Sequence, residues 1–204
     1  MIGERTRPRV LVARLAAANL IQPLLPNPMR LFALFSVSAV FASALSSAAP
    51  AQSQSAVAKI AVTSSAFQSG GKIPDQFTCK GANVNPPLQW KGVPPGTKSL
   101  ALIVDDSDAP GGLFTHWIVW NIDPAPNQVS EKSVPAGAIE GTSDFGKIGY
   151  GGPCPPSGTH RYFFRIIALD GKLDLKSGVK RHELDKAIAS HSLARGELMG
   201  RCCK

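Results

Sequence analysis

The chain has 204 residues, 44% of them hydrophobic, with 22 Lys and Arg against 14 Asp and Glu, for a formal net charge of +8. That is enough chain and enough apolar content for one domain with its own core. Five of the bases and one of the acids fall in residues 1–51; the other 17 and 13 are scattered without a run or stripe, which speaks against a nucleic-acid-binding surface.

In chain order, residues 1–28 carry Arg5, Arg7, Arg9 and Arg14 against the single acid Glu4. They read as an N-terminal extension, either a long positive leader or a stretch upstream of a true start at Met29. Residues 29–51, "MRLFALFSVSAVFASALSSAAPA", place Arg30 before an apolar run over 31–45, with Ala49-Pro50-Ala51 as a small-residue cleavage site. This is the pattern of a secretory signal peptide, too short and too rich in Ser and Ala for a good membrane span. The chain is therefore expected in the periplasm or secreted, with no transmembrane segment after cleavage and a single domain over 52–204.

Within that domain, "KIAVT" (59–63), "LALIVD" (100–105), "HWIVWNI" (116–122) and "HRYFFRIIAL" (160–169) are short β-branched or aromatic runs. The loops between them, such as "KGVPPGTKS" and "DPAPN", would break any helix, so these runs are expected to be strands. Residues 180–191 have helical spacing at Leu184, Ala187, Ile188 and His191. The following "SLARGELMGRC" suits either a second helix or a closing edge strand. The fold class expected is mainly β, an antiparallel sandwich with a few peripheral helices.

Cys79, Cys154, Cys202 and Cys203 match no zinc-site spacing. The adjacent pair at the chain end is expected to be free. Cys79 and Cys154, each in a Gly/Pro-rich loop beside a strand, are the candidate disulfide in an oxidising compartment.

The candidate site comes from strand parity. His160 and Tyr162 share a face with Phe164, Ile166 and Ala168, so they begin a core-facing row at a strand mouth. "DDSDAPGGLFTHW" (105–117) joins two strands that pair most simply as an antiparallel hairpin. Asp106, in line with Leu102 and Val104, is then expected to face His116, in line with Ile118 and Trp120. A calcium loop fails, because its fifth and twelfth ligand positions are Pro110 and Trp117. No compact metal signature joins Asp106, His116 and His160, and no G-x-S-x-G elbow supports a hydrolase. Anion binding remains. Gly-rich backbone forms a nest of N–H groups, Pro155 and Pro156 stiffen it, and His116, His160 and the Tyr162 hydroxyl can donate to phosphate oxygens. Asp106 is expected to raise the His116 pKa and favour its charged form, or to meet the ammonium of a zwitterionic head group. Trp117, Trp120 and Phe114 lie near the approach, with core packing the expected role for two of the three.

"DSDAPGGLFTHW" together with "GGPCPPSGTHRY" resembles the two signature segments of the phosphatidylethanolamine-binding protein family, in particular its bacterial, Raf-kinase-inhibitor-like branch. The resemblance covers residues 57–201, including "NPPLQW" and "HELDKAIASHSLARGELMG". It implies a β-sandwich with a small pocket for phosphate-type anions and phospholipid head groups. It also implies ligand-binding roles for Asp106, His116, Pro155, Pro156, His160 and Tyr162, with Asp108, Gly152 and Cys154 nearby. The chain departs from the pattern at Ser107, where a proline is usual, which is expected to loosen the loop. It also lacks the C-terminal aromatic residue that closes the pocket in animal members, and kinase regulation does not transfer. The function expected is that of a non-catalytic binding protein with no cofactor or metal. Its partner would be a phosphate-bearing small molecule or phospholipid head group. An interaction or inhibitor module docking a protein through the same pocket is the alternative, and a hydrolase comes third.

Overall fold

The computed structural model describes residues 58–203, so the expected N-terminal extension over 1–28 and the expected signal peptide over 29–51 lie outside the described residues. The strands are β1 (Ala58–Lys59), β2 (Ala61–Thr63), β3 (Leu88–Lys91), β4 (Ser99–Asp106), β5 (Phe114–Ile122), β6 (Gln128–Val129), β7 (Ile139–Glu140), β8 (His160–Leu169) and β9 (Ser192–Cys202). One helix, α1 (Arg181–Ala189), precedes β9. They form a six-stranded sheet in the order β1-β9-β8-β4-β5-β7 and a three-stranded sheet in the order β2-β3-β6. Every pairing is antiparallel except that of β1 with β9. This is the expected β-sandwich. Among the described residues no helix is long and apolar enough to cross a membrane.

The large sheet buries both faces, which explains why its strands are so apolar. Leu100, Leu102, Val104, Tyr162, Phe164, Ile166 and Ala168 pack inward against Val62, Leu88, Trp90 and Val129 of the small sheet. Ala101, Ile103, Ile118, Trp120 and Ile167 point outward beneath Leu184 and Ile188 of α1. That helix opens with a capping box in which the Lys180 N–H donates to Glu183 Oε2 at 2.9 Å. It is anchored by Asp105, fully buried on β4, whose carboxylate accepts from Arg165 on β8 and Arg181 on α1.

The run 59–63 divides at Ile60, whose N–H donates to Arg195 O at 3.0 Å, so its two halves serve different sheets. The strands β3, β6 and β7 were not legible, being two to four residues long and set among prolines. Segment 192–202 is a strand rather than a helix, and it lies inside the sheet between β1 and β8 rather than at its edge. Gly196 decides this: a Cβ there would lie 1.9 Å from Ile60 O, so only glycine lets β1 lie this close. Gly196→Ala is expected to destabilise the protein by about 1–3 kcal/mol through overpacking against backbone. Chemical denaturation checks it, and an unchanged midpoint would mean that the β1–β9 contact is not tight there.

Candidate functional site

Asp106 ends β4, the strand between β8 and β5. Its cross-strand partners are Tyr162 on β8 and Phe114 on β5. Because β4 and β8 pair without a slip, the parity reading holds there: Asp106, His160 and Tyr162 share the inward face at one end of the sheet, at 4%, 8% and 0% exposure. Asp106 Oδ2 meets His160 Nδ1 at 2.7 Å, and Asp106 Oδ1 accepts from the Asp108 N–H at 2.8 Å. Both carboxylate oxygens are thus engaged within the protein, which leaves Asp106 poorly placed to receive a ligand ammonium.

His116 reaches the same face by a different route. Val104 pairs with Trp117 and Asp105 with Thr115, so β5 carries an extra residue, His116, in a β-bulge. Ile118 and Trp120, expected on the face of Asp106, instead lie on the opposite face under α1. Strict parity would send His116 there too. The bulge turns it inward, where its ring packs edge-on to Tyr162 at 5.1 Å and to Phe114 and Phe145 at 5.2 Å each. Trp117 and Trp120 are fully buried, so Phe114 is the one of the three expected aromatics that borders the site.

His116 does not bond Asp106. Its Nδ1 lies 2.6 Å from Gly151 O, and since a carbonyl only accepts, Nδ1 carries the proton and Nε2 is left bare. Burial lowers the His116 pKa below its usual 6.5, outweighing the Gly151 bond and the Asp106 charge that pull the other way. The expectation of a charged imidazole is corrected: desolvation at 3% exposure wins over a carboxylate that is already paired with His160.

Tyr162 is the residue with spare capacity. Its fully buried hydroxyl finds no hydrogen-bond partner among the described residues. The Asp106 carboxylate and the Cys154 N–H both lie near enough to affect its acidity. Burial, then the Asp106 charge, pushes its pKa far above the usual value and keeps the proton on oxygen.

The loops differ from expectation. Ser107 does not loosen the 106–112 loop: its N–H, which a proline would lack, donates to Arg161 O at 3.1 Å. Asp108 is engaged with Arg161, accepting from its backbone N–H at 2.8 Å and from its guanidinium at 2.6 and 2.9 Å, and this holds its pKa at about 2. Pro155 is half-buried and Pro156 exposed, whereas Pro153 is buried behind the site. Cys154 forms the expected bridge with Cys79, across 5.4 Å between Cα atoms. Cys202 and Cys203, expected to be free, are buried with their sulfurs against each other. Gly151, Asn83, Pro153 and Phe145 complete the surroundings and were missed. No spacing motif marks them, since each depends on where a distant loop lands. A cavity of about 280 Å³ opens beside them, lined by Phe145, Gly151, Gly152 and Cys154 among others. Among the described residues no three His, Cys, Asp or Glu side chains converge as a metal site.

His116 is expected to titrate below pH 6.5, with the Nδ1–H tautomer dominant above that midpoint. Its contribution to stability is complete above the unfolded value and is lost as pH falls through the lower folded one, because the unfolded chain takes the proton first. Imidazole nitrogen NMR shifts read both quantities, and a midpoint above 6.5 would refute the assignment.

Residues 63–203 match the model of the phosphatidylethanolamine-binding protein family. A UPF0098 protein of Methanothermobacter thermautotrophicus is 47% identical over 140 residues, covering 66% of this chain and 93% of its own. LppC of Mycobacterium tuberculosis, provisionally named a lipoprotein, is 43% identical over 143 residues, 69% of this chain and 71% of its own. Of solved structures, the phosphatidylethanolamine-binding-protein homolog CT736 of Chlamydia trachomatis aligns with TM-score 0.69 and 40% identity, covering 72% of this chain and 98% of its own. YbcL of E. coli, described as a member of the mammalian family, aligns with TM-score 0.66 and 32% identity over 70% of this chain and 96% of its own.

Proposed function

The chain belongs to the phosphatidylethanolamine-binding protein family, and from that premise we propose that it is an exported, non-catalytic binding protein whose pocket holds a phosphate-type anion or phospholipid head group. The observation that carries this is the Tyr162 hydroxyl, fully buried and unpartnered beside His116 and the Asp106–His160 pair. An unmet buried donor costs about 1–3 kcal/mol, a cost that an anion oxygen would remove. His116 Nε2 and His160 Nε2 are the ring nitrogens left for a ligand, since each ring commits its Nδ1 to the protein.

The state of His116 sets the chemistry. Neutral, its Nε2 accepts from a ligand O–H; to donate to a fully deprotonated anion it must first take a proton. Binding of such an anion is therefore coupled to proton uptake. Asp106 acts within the protein, orienting His160 and leaving the Tyr162 proton in place. Export is supported by the Cys79–Cys154 bridge, which persists in oxidising compartments, and by the naming of LppC as a lipoprotein.

Tyr162→Phe removes only the donor. It is expected to leave stability unchanged or slightly raised while weakening phosphate binding about tenfold or more, measured by calorimetry. Equal affinity in the variant would sink the reading. Sulfate, which does not titrate between about pH 5 and pH 8, separates the protein's protonation from the ligand's. Its affinity is expected to fall as pH rises across that range in wild type and to fall less steeply in His116→Gln. A flat wild-type profile would show that His116 does not contact the anion.

A further inference from the structure

His116 owes its tautomer to Gly151, yet Gly151 lies on a loop rather than in the ladder of the large sheet. The Gly151 carbonyl accepts from His116 Nδ1 at 2.6 Å, and the Gly151 N–H donates to His116 O at 3.0 Å. Beyond those bonds to β5, the loop is held by a remote segment, residues 77–83. The Tyr150 hydroxyl donates to Phe77 O at 2.9 Å, and the Cys79 N–H donates to Pro153 O at 3.1 Å. The Gly152 N–H donates to Asn83 Oδ1 at 2.7 Å, and Cys79 is bonded to Cys154. The approach is close enough that a Cβ on Gly152 would lie 2.5 Å from Phe77 O and 2.7 Å from Asn83 Oδ1.

Asn83 is exposed, and its backbone is left-handed, with φ of 55°. Asn tolerates this region better than most residues, but glycine adopts it more freely. A surface position in that conformation gains nothing from an amide side chain unless the side chain is used, and here it caps the peptide next to Gly151. The geometry points to Asn83, acting with the Cys79–Cys154 bridge, as a positioning residue for His116. By fixing the Gly152 N–H it orients the preceding carbonyl, keeps the His116 proton on Nδ1 and leaves Nε2 for the ligand. The ligand half of this statement rests on the anion-pocket reading; the tautomer half does not.

Two variants of the full chain test it. Asn83→Gly keeps the left-handed backbone and removes the acceptor; Asn83→Asp keeps the acceptor. Imidazole nitrogen NMR is expected to show a smaller Nδ1–H population and a displaced His116 midpoint in Asn83→Gly, with the wild-type pattern restored in Asn83→Asp. Phosphate binding to Asn83→Gly is expected to be about three- to tenfold weaker, one neutral hydrogen bond's worth. The loss should deepen when Cys79→Ala and Cys154→Ala are added. A merely structural role would lower the melting temperature without moving the tautomer. A wild-type His116 spectrum in Asn83→Gly overturns the proposal whatever the protein binds. A shifted tautomer in a protein that fails to bind phosphate even as wild type upholds the positioning role and removes the anion reading instead.

Discussion

One extra residue in β5 decides what this site can be. With Val104 opposite Trp117 and Asp105 opposite Thr115, the ladder has no partner for His116, and the strand turns it inward. Without that bulge, alternation would carry the imidazole to the face covered by α1, among Ile103, Ile118 and Trp120. With it, three rings and a carboxylate from three adjacent strands meet at one sheet end. Bulges recur beside functional sites because they re-aim a side chain while leaving most of the ladder intact. Here the ladder resumes at once, since Asp106 still pairs with Phe114.

The same strand end handles two buried carboxylates in opposite ways. Asp105 points outward and, although burial pushes its pKa up, it is met by the guanidiniums of Arg165 and Arg181, tying the helix to the sheet. An ion pair that is desolvated contributes little net stability, but removing one partner is costly. Asp105 therefore fixes where α1 sits more than it stabilises the fold. Asp106 points inward and is met by an imidazole and a backbone N–H. Both oxygens are engaged within the protein, so its work is done chiefly through His160. Adjacent acids on one strand are thus assigned to two faces by alternation alone, one to architecture and one to the site.

Legibility followed the ladders. Asp106, His160 and Tyr162 were readable because β4 and β8 pair without a slip from Ser99–Leu169 to Asp106–Tyr162, so a period of two transfers from sequence to space. His116 was placed correctly on a premise that fails, since Ile118 and Trp120 face away from Leu102. A bulge leaves no composition signal when the bulged residue is not glycine. The loop was read less well. Proline content drew attention to Pro155 and Pro156, which are half-buried and exposed, whereas the buried proline of the loop is Pro153. Asn83 and Phe145 contribute through contacts across long sequence separations, which no local pattern encodes. The disulfide was legible only as a pairing, not as a brace.

That brace matters because the site is small and its donors are few. Were these groups to meet a ligand, as proposed, affinity would come mainly from having them aimed beforehand, since ordering a side chain on binding costs about 0.5–1.5 kcal/mol each. Each of these groups is held in place by the protein itself. His160 is held by Asp106, His116 by Gly151, and Tyr162 by its place in the β8 ladder opposite Asp106. The loop bearing Gly151 is in turn pinned by a bridge closing 75 residues of chain, a constraint that costs the folded state nothing further once formed. The Tyr162 hydroxyl, buried and without a partner among the described residues, is then the group in this arrangement whose desolvation is least compensated.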